Sequence, residues 1–211
     1  MSRESILHRV RTAVGRTEDQ PIPEPPPVRL RIPQVDREAR LQSVRRSLEA
    51  LAAKVHFAVT PRAARDLVET LLAGRNAVAS NAPYLSECGV ANLPGVRTGF
   101  RDAAELREAC TAALVGITSA DYVLADTGTL VLLSSNSEAR LISLLPPAHI
   151  AVVPSSRMLT GLDELFTVLP SPADASSSMV LITGPSRTGD IEQILVRGVH
   201  GPGELTVVLV G

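Results

Sequence analysis

The segment YVLADTGTLVLL, at residues 122–133, restricts the strand arrangement of this chain more than any other stretch. Two apolar runs, at 122–125 and 129–133, are separated by three residues that end in a glycine. A crossover between parallel strands needs about a dozen residues or more, so this pair must be antiparallel strands or a bent strand pair. Short apolar runs recur through the second half of the chain, at 114–118, 150–153, 179–183 and 205–210. The sequence therefore predicts a mixed sheet and not a purely parallel one.

The preceding stretch, from residue 36, alternates helices and strands in the pattern of an α/β domain. The spacing predicts helices at 36–54 and 102–109 and strands at 55–59 and 77–80, while 88–93 has no clear assignment. Thr60 and Pro61 supply a cap and a first-turn proline for a further helix that ends near Ala73 and Gly74. We expect residues 36–211 to form a single α/β domain.

The first 35 residues have a different character. Apolar residues recur at four-residue spacing at Ile6, Val10 and Val14, which predicts a short helix that Ser2 can cap. Six prolines follow within residues 21–33, and these favour an extended connector because proline lacks the backbone donor of helices and inner strands. The helix is either a surface packing element or a docking element for a partner subunit.

Composition narrows the class of function. The net charge is −1 and aromatic residues make up 2% of the chain, so neither an electrostatic footprint nor a stacking platform for nucleic acid is expected. Cys88 and Cys110 are too far apart in sequence to form a zinc or iron–sulfur ligand pair, and we assign no metal and no cofactor. The sequence contains no signal-peptide pattern and no membrane-length apolar run, so the expected location is the cytoplasm.

The first candidate site is the turn at 125–129. It carries one carboxylate, two hydroxyls and a glycine through which a ligand can approach the backbone, at Asp126, Thr127, Gly128 and Thr129. The alternative is a hairpin turn in which Asp126 bonds its own backbone.

The second candidate site joins a predicted strand to a predicted helix. Its polar residues suit a phosphate or a carboxylate and are Thr183, Gly184, Ser186, Arg187 and Thr188. Asp190 with Gln193 three residues later matches the capping-box pattern, which predicts a helix start there. The glycine spacing matches neither a P-loop nor a dinucleotide-binding motif, and an ordinary capped helix is the alternative.

Three further residues could contribute to a site. His200 precedes Gly201 and Pro202 and is either a turn residue or a candidate catalytic group, as is Asp126. Arg140 is either aimed at a strand end or part of a solvated surface with Glu138. His149 precedes an apolar strand, and we interpret it as structural.

Five blocks in the second half resemble the LUD-domain (lactate-utilisation) family, in its protein C branch. The blocks are Gly116 to Tyr122, Ala125 to Leu130, Ser143 to Ile150, Thr183 to Glu192 and Gly198 to Pro202. Together they extend over roughly half of the chain, and their order is more specific than any one block.

The resemblance implies a fold similar to NagB, ribose-5-phosphate isomerase and the CoA transferases, a mixed-sheet α/β architecture with helices on both faces. It also implies a part in the oxidation of L-lactate to pyruvate, beside two companion proteins that carry iron–sulfur clusters. The expected role is a non-redox accessory subunit that binds a small anionic metabolite at strand-end loops. The alternatives are an independent enzyme or sensor for a phosphorylated or CoA-linked metabolite, with Asp126 as base or nucleophile and Arg187 as anion clamp, and a structural adaptor.

Overall fold

The computed structural model describes residues 2–15, 30–188 and 196–211. The chain divides into two compact units, residues 1–30 and residues 31–211. The first unit contains helix α1 (Arg3–Ala13), and the Ser2 hydroxyl accepts a hydrogen bond from the Ser5 amide at 3.3 Å, as the sequence predicts. Most of the predicted proline-rich connector, and the predicted capping box at Asp190 and Gln193, lie outside the described residues.

The second unit contains two larger sheets, a short strand pair and flanking helices. Its strands are β1 (Lys54–Ala58), β2 (Ala77–Ala79), β3 (Val96–Arg97), β4 (Val115–Thr118), β5 (Tyr122–Leu124), β6 (Thr129–Leu133), β7 (Ala148–Pro154), β8 (Met158–Leu159), β9 (Met179–Ile182), β10 (Arg187–Thr188), β11 (Val196–Arg197) and β12 (Glu204–Val210). Its helices are α2 (Arg37–Ala50), α3 (Pro61–Leu72), α4 (Pro83–Glu87), α5 (Ala103–Ala112), α6 (Arg140–Leu144), α7 (Leu162–Val168) and α8 (Pro172–Ala175).

The main sheet has the strand order β1-β12-β7-β4-β2-β3, and every neighbouring pair is parallel. Apolar clusters cover both of its faces, which explains why β4, β7 and β12 are nearly continuous apolar runs. From β2 the chain moves outward to β3, whereas from β4 it moves the other way to β7. The strand order therefore reverses between β2 and β4, and such a switch point is where open parallel sheets bind ligands.

The second sheet has the order β8-β5-β6-β9 and contains residues 122–133. Strands β5 and β6 are antiparallel, with Leu124 opposite Thr129, so the predicted antiparallel pair is confirmed. Strand β9 is also antiparallel to β6, while β8 is parallel to β5. The α/β fold class is confirmed, with one refinement. The antiparallel strands build their own mixed sheet and leave the main sheet parallel.

Helix α2 packs its buried residues Val44 and Leu48 into the apolar cluster that β5, β6 and β12 share. Asp36 caps this helix by accepting from the Ala39 amide at 2.8 Å. The helix ends at Ala50, earlier than the sequence predicts, because Ala52 turns the chain at φ 62° and Lys54 already belongs to β1. Thr60 and Pro61 begin α3 as predicted, and Ala73 ends it in the left-handed region.

Candidate functional site

A chain of hydroxyls links the two predicted candidate sites. Thr129 Oγ1 lies 2.8 Å from Thr127 Oγ1 on one side and 2.8 Å from Thr183 Oγ1 on the other. Thr127 also donates to Asp126 Oδ1 at 3.1 Å. The antiparallel pairing of β6 with β9 brings Thr129 beside Thr183, so the turn at 125–129 and the loop after β9 are neighbours.

Helix α2 occupies the space that the glycines of both predicted sites leave open. A Cβ atom on Gly128 would lie 2.9 Å from Leu48 Cγ, and one on Gly184 would lie 2.9 Å from Leu51 Cβ. Both glycines have positive φ, at 68° and 88°. Arg187 donates to the Leu51 carbonyl at the end of the same helix. Helix packing therefore accounts for the two glycines, and a ligand is not needed to explain them.

A pocket of about 280 Å³ gathers five of the predicted residues, and we call it the Arg187 pocket. The five are Thr183, Gly184, Ser186, Arg187 and His200. His149 is buried in its wall, with Nε2 2.8 Å from Thr118 Oγ1 and with no partner on Nδ1 among the described residues. Complete burial lowers the pKa of His149 to about 4, so the ring is neutral at physiological pH.

The remaining predicted residues lie elsewhere. Asp126 lines a separate pocket with residues 31–33 and 160–164, where its carboxylate leaves no room for a Cβ on Gly161. Arg140 is exposed, and its Nη1 lies 3.3 Å from Ser178 Oγ. Thr188 pairs with Val196 in the β10–β11 ribbon. The structure thus does not bring Asp126, Arg140 and Arg187 into a single pocket.

Glu138 corrects the interpretation of a solvated surface shared with Arg140. It is 6% exposed, and its Oε2 accepts from Ser80 Oγ at 2.8 Å and from the Ser119 amide at 3.4 Å. Ser80 directly follows β2 and Ser119 directly follows β4, so the carboxyl group bridges the two strands at the switch point.

A cavity of about 310 Å³ opens beside this bridge, and we call it the switch-point cavity. Its polar lining comprises Tyr84, Ser119, Asp121, Ser134, Ser135, Ser137, Glu138 and Arg157. Asp121 Oδ2 accepts from the Leu133 amide at 2.7 Å, and burial raises the pKa of the Asp121 carboxyl. Burial also raises the pKa of Glu138, to about 8.

Two serines in the sequence, Ser80 and Ser119, indicate this cavity. Ser80 and Ser119 each follow an apolar run directly, and polar residues at the carboxyl ends of neighbouring parallel strands meet at one edge of the sheet. What the sequence does not reveal is that β2 and β4 are the neighbours. Without that pairing, Glu138 reads as an ordinary charged loop residue.

A parallel main sheet, a small mixed sheet and flanking helices define this chain as an α/β protein, and two of its polar pockets are of small-molecule size. The LUD domain model matches residues 41–210, and the chain belongs to the LUD domain family. This match confirms the LUD-domain resemblance seen in the sequence, and the curated relatives described next confirm its protein C branch.

Curated relatives carry the name lactate utilization protein C. That of Halalkalibacterium halodurans is 38% identical over 61% of this chain and 59% of the relative. That of Bacillus subtilis is 43% identical over 46% of this chain and 42% of the relative. The chain thus spans between 42% and 59% of the length of these two relatives.

A solved structure of a duf162 family protein from Deinococcus radiodurans superimposes with a TM-score of 0.60. The match covers 84% of this chain and 99% of the other at 18% identity, which shows a shared fold. In the part of the chain that the structure describes, no helix has the length and apolarity to cross a membrane. The same described residues contain no cluster of three or more His, Cys, Asp or Glu arranged to hold a metal ion.

Proposed function

We propose that this chain is a non-redox accessory component of a lactate utilisation system that works beside iron–sulfur protein subunits and binds a small anionic metabolite. The observation that carries the proposal is the 38–43% identity to proteins named lactate utilization protein C, together with the LUD match over residues 41–210. The proposal assigns the cysteine ligands of the iron–sulfur clusters to the partners. In this chain Cys88, which follows α4, and Cys110, in α5, are buried free thiols that pack in different apolar clusters.

The Arg187 pocket supports the metabolite part of the proposal. A guanidinium recognises carboxylates by charge and by paired donors, and Arg187 stands beside the hydroxyls of Thr183 and Ser186. The lowered pKa of His149 keeps its ring uncharged, so the pocket offers a hydrogen-bonding nitrogen without a second charge. This combination suits a small monoanion such as lactate or pyruvate.

Deletion in the native host tests the physiological role. We expect impaired growth on L-lactate, normal growth on glucose, and rescue by the full chain. A tagged chain should co-purify with the iron–sulfur subunits. Normal growth of a clean deletion on lactate would contradict the proposal.

Two arginine variants test the pocket. We expect Arg187→Ala to rescue lactate growth poorly, and Arg140→Ala to rescue it fully because Arg140 is exposed on another surface. Equal rescue by both variants would show that growth on lactate does not depend on the Arg187 pocket.

The rival role as an independent enzyme needs Asp126 and Arg187 at one site. Asp126 and Arg187 line different pockets, and Asp126 is held by the threonine turn. The geometry of the described residues therefore does not support an independent enzyme, and the accessory role is the function that we propose.

A further inference from the structure

The switch-point cavity stands apart from the Arg187 pocket in both position and chemistry. The Arg187 pocket includes His149 and Leu205, which lie near the amino ends of β7 and β12. The switch-point cavity lies instead at the carboxyl ends of β2 and β4, beyond Ser80 and Ser119. Open parallel α/β sheets bind ligands outside the carboxyl ends of their strands. The site lies where the strand order reverses, because the connections from the two neighbouring strands diverge and leave a crevice.

Three buried polar atoms on the wall of this cavity have no partner among the described residues. They are Glu138 Oε1, Ser119 Oγ and Ser134 Oγ. Native proteins satisfy the large majority of such groups, since an unpaired buried donor or acceptor costs about 1–3 kcal/mol. Three such atoms on residues that line one cavity indicate a polar occupant.

Glu138 presents a proton donor to the cavity at neutral pH. Its Oε2 is committed as an acceptor to Ser80 Oγ and the Ser119 amide, which leaves Oε1 to carry the proton. Burial raises the pKa of this carboxyl to about 8, so the protonated form predominates at pH 7. The other titratable groups that line the cavity are Asp121, Arg157 and Tyr84.

Arg157 supplies the positive charge. Its Nη1 donates to the Ala120 carbonyl at 3.1 Å, and the guanidinium carbon lies 5.9 Å from the centre of the Tyr84 ring. It forms no ion pair within the described part of the chain. The Asp121 carboxylate in the same lining offsets part of its charge, which favours a monoanion over a phosphate dianion.

We propose that the switch-point cavity binds a small carboxylate with an oxygen on the adjacent carbon, a 2-hydroxy or 2-oxo acid. Arg157 holds the carboxylate, while Glu138 Oε1 and the Ser119 hydroxyl bond the second oxygen. The inference rests on the atoms of this cavity and does not depend on the Arg187 pocket.

Calorimetric titration of the full chain with pyruvate and L-lactate tests the site, with propionate as the matched ligand that lacks the second oxygen. We expect pyruvate or lactate to bind at least about tenfold more tightly than propionate, because the hydrogen bonds to the second oxygen are lost. Arg157→Gln should weaken binding by about tenfold or more, whereas Arg45→Gln, at an exposed arginine of α2 that lines neither pocket, should leave it unchanged.

The pH dependence supplies a second readout that does not require a disruptive variant. Binding to the native chain should weaken above about pH 8, as Glu138 loses its donor proton and gains a charge. Glu138→Gln keeps a donor at every pH, so its affinity should remain constant through this range. No binding by the folded chain, equal affinity for propionate, or loss of binding in Arg187→Ala but not in Arg157→Gln would each overturn the inference. The last result would leave the proposed function standing.

Discussion

At the scale of the residue, the carboxyl of Glu138 links the pH dependence of stability to the geometry of the switch point. Its pKa is about 8 in the folded protein, against about 4.3 in an unfolded chain. Between these values the folded state binds more protons than the unfolded state, so this group lowers the free energy of unfolding as pH rises. The effect is complete once pH exceeds the folded pKa.

Glu138→Gln should remove that fall in stability. We expect the free energy of unfolding of the native chain, measured by urea denaturation, to drop relative to the variant between about pH 5 and pH 8. The matched control is Glu164→Gln: burial acts to raise the pKa of Glu164, but hydrogen bonds from Thr160 and the Arg40 guanidinium outweigh it and lower this pKa. Its stabilisation is present above the unfolded pKa and is lost in acid, so this control should run parallel to the native chain over the same range. A parallel curve for Glu138→Gln would contradict the assignment.

The candidate residues show what local pattern can and cannot reveal. The sequence alone identifies Thr127, Gly128 and Thr183 as turn residues, because each lies in a turn that directly follows or precedes an apolar run. The sequence does not reveal what Gly128 contacts, because the contacting residues are distant in the chain. Leu48 of α2, which packs against Gly128, lies 80 positions before it. Glu138 was misread for the same reason, since its burial depends on strands that pair across long sequence separations.

At the scale of the element, apolar runs located the long strands but not the short ones. Strands β4, β7, β9 and β12 match predicted runs to within a few residues, and the three-residue link fixed the direction of β5 against β6. Strands β3, β8, β10 and β11 have two residues each and produce no periodic signal. Parallel pairing is set by crossovers whose ends the sequence does not identify, which is why the main sheet was expected to be mixed.

The contact between α2 and the 125–129 turn gives a prediction for Gly128→Ala. A left-handed φ costs an alanine about 1–2 kcal/mol, and the clash with Leu48 adds about 1–3 kcal/mol of overpacking. Gly95→Ala is the control, because Gly95 has φ 77° but its nearest neighbour would be 3.8 Å away. Urea denaturation should show the larger loss of stability for Gly128→Ala. Equal losses would mean that α2 shifts to accommodate the added methyl group at little cost in free energy.

At the scale of the whole molecule, the position of the domain boundary remains a prediction that truncation can test. The sequence predicts a boundary at residue 36, whereas the second compact unit begins at Arg31. Within that unit the Arg31 amide donates to Asp163 Oδ2 at 2.8 Å. We expect a chain of residues 31–211 to unfold cooperatively, with the same free energy of unfolding as the full chain.

A chain that begins at residue 41, where the family match begins, should be measurably weaker. It lacks the Asp36 cap of α2, which alone is worth about 1 kcal/mol. It also lacks the Arg37 donor to Ser155 at 2.8 Å and the Arg40 donor to the Met158 carbonyl at 3.0 Å, both of which tie α2 to the region after β7. Because Leu48 and Leu51 cover Gly128 and Gly184, loosening α2 should also disturb the Arg187 pocket. Urea denaturation and ligand titration of the 31–211 and 41–211 chains measure both effects, and equal stability of the two would show that the start of α2 adds nothing to the fold.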